Sequence, residues 1–266
     1  MYRPIWPDMM EQSDIKACAR LVERGDPDRF LAAMAAPVAA RGPLLTLYAF
    51  NLEVARAPWV TKEPLIARMR LQFWRDVVEG AGAEAPPAHE VAGPLAALIV
   101  AKELPRDVLL ALIDAREADL ERAPFGDEAA LWAYLEATSG GLMQLCVRAL
   151  GGAGDAMARD LGVAQGLANY LMAVPVLEAA GRLPLPDGRV RAVAGLAREG
   201  LARLARAQSA RKQVTHAARP AFLAAWRAGA LLEQAARTPE RVAVGGLAQS
   251  EFARRGSLLW RSVTGL

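Results

Sequence analysis

Residues 47–80 read LYAFNLEVARAPWVTKEPLIARMRLQFWRDVVEG, and residues 161–186 read LGVAQGLANYLMAVPVLEAAGRLPLP. In both stretches apolar residues recur every three or four positions, which is the period of a helix with a buried face. The same period continues through most of the chain, and no alternating pattern of strand length interrupts it. The sequence therefore predicts an all-α protein.

The composition agrees with this fold class. The chain has 266 residues, of which 53% are hydrophobic and only 6% aromatic, a balance that favours packed helices over sheets. We expect one domain over residues 1–266, with the Ala-, Pro- and Gly-rich segment 80–94 as a surface loop. The predicted helices cover residues 11–24, 27–36, 43–57, 62–80, 93–103, 105–122, 127–150, 155–180, 189–214, 218–237 and 239–263.

Charge and cysteine usage exclude several functional classes. The 32 basic and 29 acidic residues leave a net charge of +3, which is too small to indicate a nucleic-acid partner. Cys18 and Cys146 are too few for a disulfide framework or a zinc site, so we expect buried free thiols. The first residues lack the basic and apolar regions of a secretory signal, and no apolar run is long enough to span a membrane. The prediction is a cytoplasmic protein.

The two opening stretches resemble the active-site helices of squalene and phytoene synthases. In that family each helix presents a run of aspartates whose side chains share one face and bind magnesium and prenyl diphosphate. The resemblance implies an isoprenoid-synthase-type helical bundle with a central cavity. It covers about half of the chain or more, from near Leu44 to Pro186.

The first acidic motif is degenerate. Alignment on the landmark Tyr48-Ala49-Phe50 places Ala55, Arg56 and Trp59 where the family has its acids. Glu53 is the one carboxylate nearby, and a single carboxylate does not hold a magnesium cluster between two phosphates.

The second motif is degenerate at matching places. Ala173, Val176 and Leu177 occupy the positions of the acids, and Pro175 lies inside the helix, where we expect it to remove a hydrogen bond and kink the backbone. The surrounding landmarks persist: Leu161-Gly162, Ala164, Leu167, Asn169, Leu171, Gly181-Arg182 and Leu185-Pro186.

Four short motifs make the resemblance more specific. The patterns AFN-x-E-x-A, R-[LM]-Q-[FW]-W, IDxRExxL and LGxAQG are met at residues 49–55, 70–74, 113–120 and 161–166. They resemble a non-catalytic branch of the family that includes assembly factor 6 of mitochondrial respiratory complex I. The resemblance implies a pseudoenzyme without a cofactor, whose partners are complex I subunits or assembly intermediates. It also implies a location in the cytoplasm or peripheral to the inner membrane.

Two alternatives stay open. The first is an active head-to-head prenyl transferase, which would join two prenyl diphosphates and require magnesium. The second is a carrier that holds an apolar or isoprenoid ligand in the cavity without chemistry.

Polar residues near the two motifs are candidates for the cavity wall: Asn51, Glu53, Arg70, Gln72, Arg75, Gln165, Asn169 and Arg182. They are either the polar remnant of a diphosphate site or an internal brace, in which Asn51 or Glu53 pairs with an arginine, because buried charges need partners.

Two further charged groups have open interpretations. Asp114 and Glu117 are either a displaced metal site or surface ion pairs with Arg116 and Arg122. The predicted helix 189–214 has a basic face, which is either solvated or meets anionic lipid or an acidic partner. That face consists of Arg198, Arg203, Arg206 and Arg211.

Overall fold

The computed structural model of the chain describes residues 12–61, 63–121 and 123–264. These residues are mostly helical and contain no strand, which confirms the all-α prediction. An isolated backbone bridge joins Ala81 and Glu84 in the loop that follows the fourth helix.

The α-helices of the described residues are, in chain order, α1 (Gln12–Gly25), α2 (Pro27–Ala35), α3 (Val38–Arg56), α4 (Pro64–Gly80), α5 (Ala92–Lys102), α6 (Arg106–Ala115), α7 (Glu128–Leu135), α8 (Gly141–Ala149), α9 (Asp155–Ala179), α10 (Val190–Ser209), α11 (Arg219–Phe222), α12 (Ala228–Arg237), α13 (Glu240–Ala243) and α14 (Glu251–Thr264). Short 3₁₀ turns cover Arg116–Leu120, Ala210–Gln213, His216–Ala218 and Leu223–Ala225, and a π-helical turn covers Glu136–Gly140.

Helix α9 is the centre of the bundle. It packs against α7, α8, α10, α12 and the π-helical turn, and all eight residues from 161 to 168 are buried. No charged residue stands between Asp160 and Glu178. This part of α9 can therefore be surrounded by other helices without burying a charge. Within the described part of the chain, no helix has the length and apolar character required to cross a membrane.

Glycines bring α9 into close contact with the π-helical turn. A Cβ atom at Gly162 would lie 2.7 Å from the carbonyl oxygen of Ser139, and one at Gly166 would lie 2.5 Å from Ser139 Oγ. No other residue type fits at this separation, so the two glycines set the distance between the segments.

The predicted helix 127–150 is present but not uniform, since α7, the π-helical turn and α8 follow one another without a gap from Glu128 to Ala149. The π-helical turn separates α7 from α8 and adds a residue to one turn of the helix, which is typical of functional regions. The predicted helix 105–122 ends earlier than expected, since α6 stops at Ala115 and a 3₁₀ turn follows.

The C-terminal third departs most from the sequence prediction. The predicted helix 239–263 is broken because Gly245 adopts a left-handed backbone with φ of +66°, and α14 begins only at Glu251. The predicted helix 218–237 is divided into short turns before α12. Residues 221–226 are all buried. The backbone conformation of this segment is therefore determined by core contacts on every side rather than by one apolar face.

Two smaller sequence predictions concern proline and cysteine. Helix α9 continues through Pro175 to Ala179, and the expected kink at this proline stays a prediction. Cys18 and Cys146 are both buried and free, as predicted.

Candidate functional site

A cavity lies beside the central helix. It has a volume of about 510 Å³ and is open to solvent. The start of α2, the end of α3, the π-helical turn, the middle of α9 and the chain around Trp226 and Arg254 form its walls. This volume is in the range of small-molecule sites.

The two stretches aligned with the acidic motifs meet at this cavity. Ala55 on α3 and Ala173 on α9 both line it, so each motif contributes a methyl group to the wall. Arg56, Trp59 and Val176 are exposed and do not line the cavity, and neither does Leu177, which lines a smaller cavity nearby. Alignment by sequence therefore selected two residues that face one shared space.

The two aspartates of the cavity wall already have cationic partners. Asp26 caps α2 by accepting a 2.9 Å hydrogen bond from the backbone N–H of Arg29, and it binds the guanidinium of Arg29 at 2.7 Å. Asp28 accepts a 2.6 Å hydrogen bond from Nη2 of Arg254 and a short one from Arg227. The two ion pairs of Asp28 join α2 to the C-terminal part of the chain.

A partly buried arginine closes another side of the cavity. Arg116 donates hydrogen bonds to the hydroxyl of Tyr134 at 2.6 Å, to Asp119 at 3.2 Å and to Oδ1 of Asn51 at 3.4 Å. Burial raises the pKa of the Tyr134 hydroxyl far above its ordinary value, although the nearby Arg116 opposes the shift. The hydroxyl therefore stays protonated and donates to Asp119 at 3.0 Å.

Three of the predicted polar residues line the cavity, namely Asn51, Gln165 and Asn169. Asn51 is part of the Arg116 network, and Gln165 donates a 2.9 Å hydrogen bond to the carbonyl of Ala224. The interpretation of an internal brace thus describes Asn51 well, with Arg116 as its arginine.

The structure places the other predicted polar residues outside this cavity. Arg70 and Gln72 lie on the exposed face of α4, because that helix presents its buried face through Leu71 and Trp74. Glu53 lies 3.6 Å from the exposed Arg56.

Arg75 forms a brace away from the cavity. Its guanidinium binds Asp114 at 2.7 Å and Glu117 at 2.6 Å, which joins α4 to the end of α6. These two acids bind Arg75 rather than the predicted Arg116, because α4 packs directly on α6. Arg122 lies outside the described residues.

Arg182 belongs to the smaller cavity of about 220 Å³. Its guanidinium stacks 4.2 Å from the ring centre of Trp59 and donates a 3.1 Å hydrogen bond to the carbonyl of Glu121. This stacking joins the chain after α3 to the loop after α9, so the ends of the two aligned stretches are in contact.

Sequence reasoning missed the cluster of Asp28, Arg227 and Arg254. The aspartate is 199 and 226 residues away from its two partners, and no local pattern connects positions so far apart. Arg254 lies on a predicted helix, but its inward direction depends on the break at Gly245.

The groups around the cavity do not fit a magnesium cluster. Such a cluster needs several free carboxylate oxygens, whereas Asp26 and Asp28 are neutralised by arginines. Among residues 12–61, 63–121 and 123–264, no group of three or more His, Cys, Asp or Glu side chains is placed to hold a metal ion.

Comparison with known proteins shows which family the chain belongs to. A profile described as "Squalene/phytoene synthase" matches residues 22–250 of the chain. The chain belongs to the squalene/phytoene synthase family. The fold agrees, since the structure superposes on a dehydrosqualene synthase with a TM-score of 0.77 and 15% identity, over 95% of this chain and 96% of that one. The squalene synthase HpnC of Alicyclobacillus acidocaldarius superposes with a TM-score of 0.73 and 18% identity, over 85% of this chain and 94% of that one.

Relatives within the family are more similar in sequence than these synthases. Assembly factor 6 of NADH dehydrogenase (ubiquinone) complex I from Rattus norvegicus is 31% identical over 172 residues, which is 64% of this chain and 52% of that protein. The human protein is 30% identical over 161 residues, 59% and 48% of the two chains. The Drosophila melanogaster homolog is 32% identical over 181 residues, which is 64% of this chain and 53% of that protein. The chain therefore spans about half the length of these relatives.

Proposed function

We propose that this member of the squalene/phytoene synthase family is a pseudoenzyme that assists the assembly of respiratory complex I. The observation that carries the proposal is the pair Ala55 and Ala173, which face one cavity from the positions aligned with the two acidic motifs. Methyl groups at these positions supply no ligand for the divalent ions that neutralise a leaving diphosphate.

The charges of the cavity support the same proposal. Its aspartates, Asp26 and Asp28, are each bound by arginine, and Arg116 is held by Asp119 and Tyr134. A substrate diphosphate would have to break these internal pairs, which are partly buried and costly to separate. The wall is thus organised for stability of the fold rather than for metal-assisted ionisation.

Similarity to assembly factor 6 supports the choice of partner. The relatives from rat, human and fly carry this name, and their identity to the chain is about twice that of the dehydrosqualene synthase. We propose complex I subunits or assembly intermediates as partners, at a site in the cytoplasm that is peripheral to the inner membrane. An isoprenoid or other apolar ligand in the cavity would be compatible with this role.

The assembly role is tested in a strain that lacks the gene. We expect less mature complex I on native gels, and restoration by the intact chain. A normal amount of complex I in that strain would contradict the role in assembly. Native mass spectrometry of the purified protein tests the carrier hypothesis separately, because a bound isoprenoid would add a defined mass.

The alternative of an active head-to-head prenyl transferase rests on likeness of fold. The test is incubation of the purified protein with farnesyl or geranylgeranyl diphosphate and magnesium. We expect only unreacted substrate, with a dehydrosqualene synthase as positive control. Release of diphosphate would establish the alternative.

A further inference from the structure

One face of the central helix supplies an uncovered polar group to the cavity beside it. Gly166, Asn169 and Ala173 recur at helical spacing on α9, and all three line this cavity. Asn169 is exposed, whereas the eight residues before it are all buried. The exposed surface of Asn169 therefore lies on the side of α9 that borders the cavity.

The polar side chains of this wall differ in whether they have partners. Gln165 is satisfied, since it donates a 2.9 Å hydrogen bond to the carbonyl of Ala224. In the part of the chain that the structure describes, the side chains of Asn169 and Ser139 make no hydrogen bond. Both of these residues line the cavity. An amide and a hydroxyl each donate and accept hydrogen bonds, so both are available to a ligand.

The two unpaired groups lie on the same side of the cavity. A Cβ atom at Gly166 would be 2.5 Å from Ser139 Oγ, so the hydroxyl lies directly against α9 at this position. Asn169 follows Gly166 by three residues, which makes the two positions neighbours on the helix surface. The hydroxyl of Ser139 and the amide of Asn169 thus form one polar corner.

The charged side chains of the wall are paired within the protein. The four arginines that line the cavity are each bound by carboxylates. The pairs are Arg29 with Asp26, Arg116 with Asp119, Arg227 with Asp28, and Arg254 with Asp28 and Glu251. These four carboxylates balance the four arginines. An anionic head group would meet no unpaired cation among them, and its removal from water would cost free energy. The wall therefore favours a neutral ligand.

The remainder of the wall is largely apolar. Leu52, Leu135 and Met172 line the cavity together with the methyl groups of Ala55 and Ala173. In small-molecule sites such apolar surface supplies affinity, and a few polar groups orient the ligand. A molecule with one neutral polar end and an apolar body matches this division.

We propose that the cavity binds a neutral amphipathic alcohol, with its hydroxyl group at Asn169 and Ser139 and its chain along the apolar wall. A hydroxyl both donates and accepts hydrogen bonds, as these two side chains do, whereas a diphosphate adds charge that the paired arginines do not balance. This inference rests on the proposed function and deepens it, because it names the head group that a cavity without a metal site accepts.

The test compares three ligands that share one chain: farnesol, farnesyl diphosphate, and farnesene, which has no polar head group. Binding is measured by native mass spectrometry and by the fluorescence of Trp226, which lines the cavity. We expect farnesol to bind about tenfold more tightly than farnesyl diphosphate, with no effect of magnesium. We expect it to bind about fivefold more tightly than farnesene, because the hydrocarbon makes no hydrogen bond.

Substitution of the polar corner tests the position of the hydroxyl. We expect Asn169→Leu to weaken the binding of farnesol about fivefold and to leave farnesene unaffected. Gln208→Leu is the matched control, because Gln208 is an exposed amide on α10 that does not line the cavity. Ala173→Phe fills part of the space, and we expect it to abolish binding of both farnesol and farnesene. Circular dichroism verifies that each variant is folded.

Three outcomes would overturn the proposal: no binding of farnesol, tighter binding of farnesyl diphosphate than of farnesol, or equal binding of farnesol by Asn169→Leu and the unaltered chain. These outcomes are separate from the test of the assembly role. A cavity that does not bind farnesol leaves a defect of complex I in the deletion strain unchanged, and normal complex I in that strain leaves binding by the purified protein unchanged.

Discussion

At the scale of the residue, Arg116 shows how the cavity wall is stabilised. Its guanidinium holds Asp119, Tyr134 and Asn51 in a network with little access to solvent. Substitution of Arg116 by methionine leaves the partly buried Asp119 without its cation, and we expect a loss of about 3 kcal/mol in the free energy of unfolding. Urea denaturation measures this loss.

Arg75→Met is the control for this prediction. Arg75 also binds two carboxylates, but Asp114 and Glu117 are largely exposed, so water replaces the lost contacts. We expect a loss below about 1 kcal/mol. Equal effects of the two substitutions would contradict the importance assigned to burial.

The cysteines give a prediction about reactivity. Burial raises the pKa of both Cys18 and Cys146 to about 12. Since the raised pKa favours the thiol, the reactive thiolate is a minor form at neutral pH. We expect neither cysteine to react with a disulfide reagent in the native protein, and both to react after unfolding in guanidinium. Rapid reaction of either thiol without denaturant would contradict the buried positions.

At the scale of the element, the contact between α9 and the π-helical turn predicts different effects for two glycines. Gly162→Ala places a methyl group against the backbone of Ser139, and we expect a loss of about 1–3 kcal/mol in stability. Gly195→Ala is the matched control, because its Cβ on α10 would meet nothing within 4 Å. There we expect a gain of up to about 1 kcal/mol. Thermal unfolding compares the two.

The elements were predictable where local signals were strong. The prediction of 155–180 for α9 ended one residue late, because Gly181 ends the helix with a left-handed backbone. The π-helical turn was not predictable, because the apolar period continues through it and the extra residue depends on contact with α9. Gly245 and Gly246 could have predicted the break before α14, since paired glycines are a turn signal.

At the scale of the whole molecule, Asp28 joins the two ends of the described chain. Its hydrogen bonds to Arg227 and Arg254 connect α2 to α14. Asp28→Asn removes the charge that holds both arginines, and we expect a loss of about 1–3 kcal/mol in stability together with earlier proteolysis of α14.

Asp187→Asn is the matched control for Asp28→Asn. Asp187 binds the nearby Arg189 in the same exposed loop, so we expect no change in unfolding or proteolysis. The same protease sensitivity of α14 in both variants would contradict the role of Asp28.

The candidate site was only partly predictable, because some of its residues are far apart in the sequence. Ala55 and Ala173 were found because each stands in a stretch that resembles a known motif, and both line the cavity. The inward positions of Asp28 and Arg254 depend on the packing of α2 against α14, and a search of neighbouring residues does not reveal it. Arg70 was misplaced because a helical period alone does not state which face is buried.

The contact between Asp28 and Arg254 also has a consequence for the order of events during synthesis. The two arginine partners leave the ribosome 199 and 226 residues after the aspartate. A chain is synthesised from its N-terminus, and a contact between two distant residues does not form until the later residue has been synthesised. The nascent chain therefore exposes an unpaired Asp28 and an unfinished cavity until α14 has been synthesised, and α14 then completes the wall.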